Sequence, residues 1–146
     1  MATTKFSEIF DRAVFKLSEY DFLKMDENIK NSVFERYLAS ARVDFNPHCE
    51  GIDLSDIDDE NKEFKAELSE EIQEILALGV AFYWLSAKTI RSDLLKNRIY
   101  NKDYSTFSPA NLLKEIQTLR KEIKQEYNSK MKEYGYRYSN LDTLKA

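Results

Sequence analysis

Five carboxylates within eight positions, Asp53, Asp56, Asp58, Asp59 and Glu60, form the densest group of candidate ion ligands or acid–base groups in this chain. Hard cations such as calcium take oxygen ligands at fixed positions of a tight loop. Counted from Asp56, the twelfth position is Glu67, as a calcium loop requires, but the sixth is Asn61 where the sharp turn calls for glycine. The spacing does not specify an ion, and it gives a small helical enzyme using such an ion little to stand on. His48 and Cys49 are the only histidine and cysteine. Sequence neighbours rarely point at each other, so they do not make a Cys–His nucleophile pair. Two such ligands are also too few for zinc. No glycine-rich phosphate loop is present. The expectation is a protein with no catalytic residues, no cofactor and no metal, which acts by binding.

The totals suit that reading. At 146 residues the chain fits one domain, large enough to bury roughly 70% of its unfolded surface without a staple. A single cysteine cannot form an intrachain disulfide. The first residues lack the charged-then-apolar layout of a signal peptide. The longest apolar run, Ile75 to Leu85, falls short of the ~20 residues of a membrane span. A soluble protein without a membrane partner is expected. Three glycines and two prolines are too few for the frequent turns of an all-β domain, so helices should dominate.

Hydrophobic periodicity places those helices. Phe6, Ile9, Phe10, Ala13, Val14 and Leu17 lie on one face, and Ile29, Val33, Phe34, Tyr37, Leu38, Ala41 and Phe45 on another. Asp26 is a candidate N-cap for the second helix, and Asn46-Pro47 should end it. Tyr20, Phe22, Leu23 and Met25 fall in the connection between the two. Residues 46–67 read as an irregular, acid-rich loop. Ser69 caps a third helix that is apolar on more than one side, hence central, with Gly79 admitting a close neighbour. Tyr37, Leu38, Ile75, Leu76, Tyr83 and Trp84 are the expected core. Ile90–Ile99 suggests a short separate helix, and Tyr100–Phe107 a linker. Ser108-Pro109 then opens a long helix whose seam runs Leu112, Ile116, Leu119, Ile123, Tyr127, Met131, Tyr134. Gly135 should stop it, leaving Tyr136–Ala146 as a tail. The fold class is all-α: a small bundle with a long C-terminal helix and an acidic loop. Residues 1–107 form the core, and 108–146 a docking arm of the same domain whose later turns reach beyond it.

Charge is uneven along the chain. Glu50 to Glu74 holds eleven carboxylates against Lys62 and Lys65, whereas Ser86 to Ala146 holds thirteen Lys/Arg against seven Asp/Glu. Such patches suit each other, within the fold or between copies. On the last helix Lys114, Arg120, Lys121, Lys124, Lys130 and Lys132 alternate with Glu115, Glu122, Glu126 and Glu133. The pattern suggests i,i+4 pairing rather than a uniform basic stripe for DNA.

Three spaced motifs carry a resemblance. They are Asp53-Leu-Ser-Asp-Ile-Asp-Asp-Glu60 followed by Phe64; Leu68-Ser-Glu-Glu-Ile-Gln-Glu-Ile-Leu-Ala-Leu-Gly79 followed by Trp84-Leu85; and Ser108-Pro-Ala-Asn-Leu-Leu-Lys-Glu115. From Phe6 to Tyr134 the chain resembles the head–tail connector (neck, head-completion) proteins of tailed bacteriophages. Other members carry a proline after the Trp-Leu; this chain has Ser86-Ala87, so its third helix should run longer. The resemblance implies a virion subunit assembling as a ring, commonly of twelve copies, beneath the portal protein. The ring would extend the DNA channel without binding DNA specifically and would join the next neck, stopper or tail protein. It further implies that Lys121, Lys124, Tyr127, Met131, Tyr134, Tyr136, Arg137 and Tyr138 face the portal or neighbouring subunits. The acidic 53–60 loop would meet a basic surface of an adjacent copy. A DNA-binding packaging protein of small-terminase type is the alternative.

Overall fold

A computed structural model describes residues 3–17, 27–49, 51–99 and 109–144, with side chains described for 3–17, 30–49, 51–87 and 114–137. The chain is predominantly helical, with four α-helices and a small sheet among the described residues. Strand β1 (Thr4–Lys5) runs directly into α1 (Phe6–Lys16); α2 (Glu27–Phe45) ends in a 3₁₀ turn at Asn46–His48. Strands β2 (Ile57–Asp58) and β3 (Glu63–Phe64) precede α3 (Glu70–Ile99), and α4 (Pro109–Leu144) follows.

The segment expected to be irregular holds two short strands, which join β1 in a three-stranded antiparallel sheet of order β1-β3-β2, with Thr4 opposite Phe64 and Ile57 opposite Phe64 on its other side. Two-residue strands carry too little periodicity to be read from sequence. The carboxylates build the turns. Asp53 accepts hydrogen bonds from the Ser55 amide (3.0 Å) and hydroxyl (2.6 Å). Asp58 accepts from the amides of Glu60 and Asn61 and from Asn61 Nδ2, closing the β2–β3 turn. That turn ends at Lys62, which sits in the left-handed region at φ 54°. The sheet is tied down by Thr4, whose buried hydroxyl accepts the Leu68 amide proton at 2.8 Å, and Leu54, Phe64 and Leu68 point into the core.

The helices follow the apolar patterns. Phe6, Ile9, Phe10, Ala13 and Leu17 of the first segment are buried, with Phe6 edge-on to Phe64 and Phe10 edge-on to Phe34. Helix α2 stops at Phe45 as the Asn46-Pro47 step demands. Ser69 Oγ accepts the Ile72 amide proton, the capping bond expected of it. Helix α3 is central, packing against α1, α2 and α4. Of the expected core, Leu38, Ile75, Leu76 and Trp84 are buried, while Tyr37 and Tyr83 lie half-buried at its edge. Glu74, on α3, receives Arg12 and Lys16 from α1. Burial alone would raise its carboxyl; the two cations outweigh that and hold it below the usual range.

Two helix boundaries differ from expectation. Ile90–Ile99 is no separate element but the continuation of α3, as the missing proline after Trp84-Leu85 foreshadows. Gly135 does not stop α4, which runs to Leu144, so the expected tail is helical. Glycine is there for space: a Cβ at position 135 would lie 3.0 Å from His48 Nδ1. Asp26, the 18–25 connection, the 100–107 linker and Ser108 lie outside the described residues. No helix of the described residues is long and apolar enough to cross a membrane.

Gly79 has the role its sequence position suggests, with two neighbours rather than one. A Cβ there would lie 2.6 Å from Ala41 Cβ on α2 and 2.8 Å from Tyr127 Oη on α4. Gly79→Ala should therefore destabilise the fold by about 1–3 kcal/mol through overpacking, despite alanine's better helix propensity. Urea unfolding measures this. Adding Ala41→Gly should recover part of the loss; a purely additive double mutant would rule out the crowding.

Candidate interaction surface

Helix α4 is 36 residues long, about 54 Å at 1.5 Å per residue. It runs antiparallel to α3: Arg120 Nε donates to Ser86 Oγ at 2.8 Å, Tyr127 sits over Gly79, and Arg137 pairs with Glu71. The seam Ile116, Ile123, Tyr127, Met131, Tyr134 is buried along this length. This corrects the expectation that the later turns project beyond the body and offer Tyr127, Met131 and Tyr134 to a partner. Helix α2 and its 3₁₀ turn cover them. Tyr134 stands edge-on to Phe45 at 5.2 Å, Tyr127 stacks on Phe82, and Tyr127 Oη donates to Asp44 Oδ2 at 3.0 Å. The Tyr83 hydroxyl donates to the same carboxylate oxygen.

Asp44 thus gathers phenols from α3 and α4 onto α2. Sequence reading missed it, because a lone acid near the end of an amphipathic helix looks like a solvated one. Burial, with the Asp44 hydrogen bond and charge adding to it, pushes the Tyr83 phenol up to about 12. Burial and the Asp44 charge also push Tyr127 well above the ordinary tyrosine value. Cys49 is raised to about 11 by burial, which leaves its thiol protonated and unreactive at neutral pH.

Other predicted residues fall into three situations. Lys121 and Lys124 are exposed; the Lys124 ammonium lies 5.9 Å from the half-buried Phe82 ring, beside the Arg120 guanidinium at 5.0 Å. Arg137 is held by Glu71 at the first turn of α3, while Tyr136 is 63% exposed. The Tyr138 side chain lies outside those described. Of the acidic set, Asp53 and Asp58 close local turns whose donated hydrogen bonds, from Ser55 and Asn61 above all, hold both carboxyls below their usual range. Asp56 faces Lys65 at 3.6 Å, Asp59 faces Lys62 at 3.0 Å, and Lys62 also reaches Glu35. Glu60 is exposed. Among the described residues no cluster of His, Cys, Asp and Glu is placed to hold a metal ion.

Most charges of α4 are sorted, with Lys130 and Arg137 on the glutamate side near the seam, and the expected i,i+4 pairing holds in one case. Among the described residues of this helix Glu126 with Lys130, at 3.3 Å, is the i,i+4 pair that forms. With Ile116 as the inward direction and about 100° per residue, Lys114, Lys121, Lys124 and Lys132 fall roughly 80–160° to one side. Glu115, Glu122, Glu126 and Glu133 fall roughly 80–120° to the other. All eight are exposed. A wheel projection of the seam would have revealed these two flanks; reading the charges as a linear string hid them.

Removing the Asp44 carboxylate takes the acceptor from Tyr83 and leaves Tyr127 only the Ala41 carbonyl at 3.5 Å. Asp44→Ala should cost roughly 1.5–3 kcal/mol of unfolding free energy, and Tyr127→Phe a comparable amount, by chemical denaturation. Stability should be flat below pH 10 with respect to these phenols and fall as pH rises from 10 through about 12, because the folded state holds the protons more tightly than the unfolded one. In Tyr83→Phe/Tyr127→Phe that alkaline loss should shrink; an unchanged loss would place its origin elsewhere.

No protein-family model matches the chain, and no curated protein and no solved structure was found to be similar to it.

Proposed function

We propose that the chain is a non-catalytic head–tail connector subunit of a tailed bacteriophage. It assembles as a ring beneath the portal protein in the virion neck, extends the DNA channel and receives the next neck or tail component. The observation that carries this reading is the series of spaced motifs, taken with the use the fold makes of them. The Asp53–Glu60 motif supplies β2 and the start of the turn to β3 and buries Leu54, the following Phe64 and Leu68 enter the core, and the Leu68–Leu85 motif supplies the first half of the central helix. The Pro109 motif opens the long helix laid against it. The three motifs lie on elements of one helical body, which is compatible with that reading. Twelve copies is the number the resemblance implies.

The surface supports a reading by assembly. Charges exposed on two flanks of α4 from Lys114 to Glu133, about 28 Å of helix, offer a row of polar contacts. The basic flank of α4 is the one feature that favours the second reading, a DNA-binding packaging protein, because a row of lysines can neutralise phosphates.

Mixing the full chain with its cognate portal protein should give stacked rings by electron microscopy, with this chain at the tail-facing end. DNA binding in gel shifts should be weak and independent of sequence. A chain that ignores the portal yet shifts DNA at low salt, with the shift lost steeply as salt rises, would replace the connector by the packaging reading.

A further inference from the structure

We infer that copies of this chain associate side by side through α4, the lysine flank of one copy lying against the glutamate flank of the next. This rests on the reading of the chain as an assembling subunit and specifies the surface on which it assembles.

Three Lys-Glu steps carry the argument: Lys114-Glu115, Lys121-Glu122 and Lys132-Glu133. Their spacings of seven and eleven residues are both near-integral numbers of helical turns, so the three steps repeat on one face of α4. Each lysine lies to one side of the buried seam and each glutamate to the other, all six exposed. A partner on the lysine side and another on the glutamate side would leave every body on the same side of its own α4. Such a contact uses two different surfaces and generates rings or filaments.

The rise per residue sets how neighbouring copies line up. Within each step the two charges differ by only about 1.5 Å along the helix axis. A neighbour related by rotation about an axis parallel to α4, without axial shift, brings Lys114, Lys121 and Lys132 level with its Glu115, Glu122 and Glu133. All three pairs form together, and a climb of about 1.5 Å per copy aligns them equally well, so a flat ring and a shallow helix both satisfy the pattern.

The helix does little to satisfy these charges internally. Lys121 has Lys124 three residues on, and Glu122 has Glu126 four residues on, like-charge spacings that oppose helix formation. Glu133 has Arg137 at i+4, but that guanidinium pairs with Glu71. No described residue of the chain forms an ion pair with any of the six.

The test is a charge exchange read by sedimentation velocity at low salt. Wild-type chain should self-associate, and less so at 1 M salt, where screening reaches only about 3 Å. The variants K114E/K121E/K132E and E115K/E122K/E133K should each associate at least about tenfold more weakly. An equimolar mixture of the two should regain association, since each then presents the flanks the other lacks. If either variant loses helicity, a C49S/K121C/E122C chain serves instead: oxidation should link successive copies into a covalent ladder. A wild-type chain that stays monomeric at low salt, a single-flank variant that associates normally, a mixture that does not recover, or an absent ladder overturns the contact. Portal binding with no effect of the exchange removes the contact and leaves the connector reading. Recovery in the mixture without portal binding does the reverse.

Discussion

The crossing of three helices around Gly79 sets the geometry of the whole body. Helix α2 presents Ala41 and Asp44, α4 presents Tyr127, and α3 contributes the absence of a side chain at the point where they meet. Close packing alone would leave the helices free to slide, because apolar surfaces are non-directional. The carboxylate removes that freedom: one oxygen accepts hydroxyls from Tyr83 and Tyr127, which fixes rotation as well as distance. A buried hydrogen bond to a charged group gains modestly when made and costs more when broken, so it selects one arrangement over its neighbours.

That constraint decides which face of α4 is left outward. With Tyr127 pinned inward, Ile123, Met131 and Tyr134 follow it into the core. The lysine and glutamate rows are then displayed about 100° apart on the outward surface, and the helix carries two unlike flanks. The acidic turn between β2 and β3 contributes differently. There Asp58 organises the backbone, Asp59 pairs with Lys62, and Lys62 also ties the turn to Glu35 on α2. Local density of charge marks a folding device there, whereas evenly spaced charge on α4 marks a surface.

Much of the framework was legible from residue order. The apolar faces of α1, α2 and α3, the stop at Asn46-Pro47, the Ser69 cap and the close approach at Gly79 each follow from a local rule. What escaped depended on partners distant in sequence. The sheet joins Thr4 and Lys5 to Phe64 and Glu63, and its strands are too short to show alternation. Gly135 looked like a terminator because its neighbour His48 is unknowable from local sequence. The aromatic seam near the end of α4 looked unsatisfied because nothing in the sequence announces that the turn after α2 covers it. Solvent-facing charge was the reverse case: fully present in the sequence, and missed for want of an inward direction from which to measure it.

The union of β1 with β3 also has a kinetic side. Thr4 meets Leu68 across 64 residues, so this closure carries a large loop-entropy cost and little reward until the intervening helices have collapsed. The α3–α4 pair is adjacent in sequence near Ser86 and Arg120, yet its far end joins Glu71 to Arg137 across 66 residues, a closure of similar length. The β2–β3 hairpin pairs Ile57 with Phe64 and Asp58 with Glu63, a local closure without that cost, so within the sheet it is the junction with β1 alone that leans on the collapsed helices.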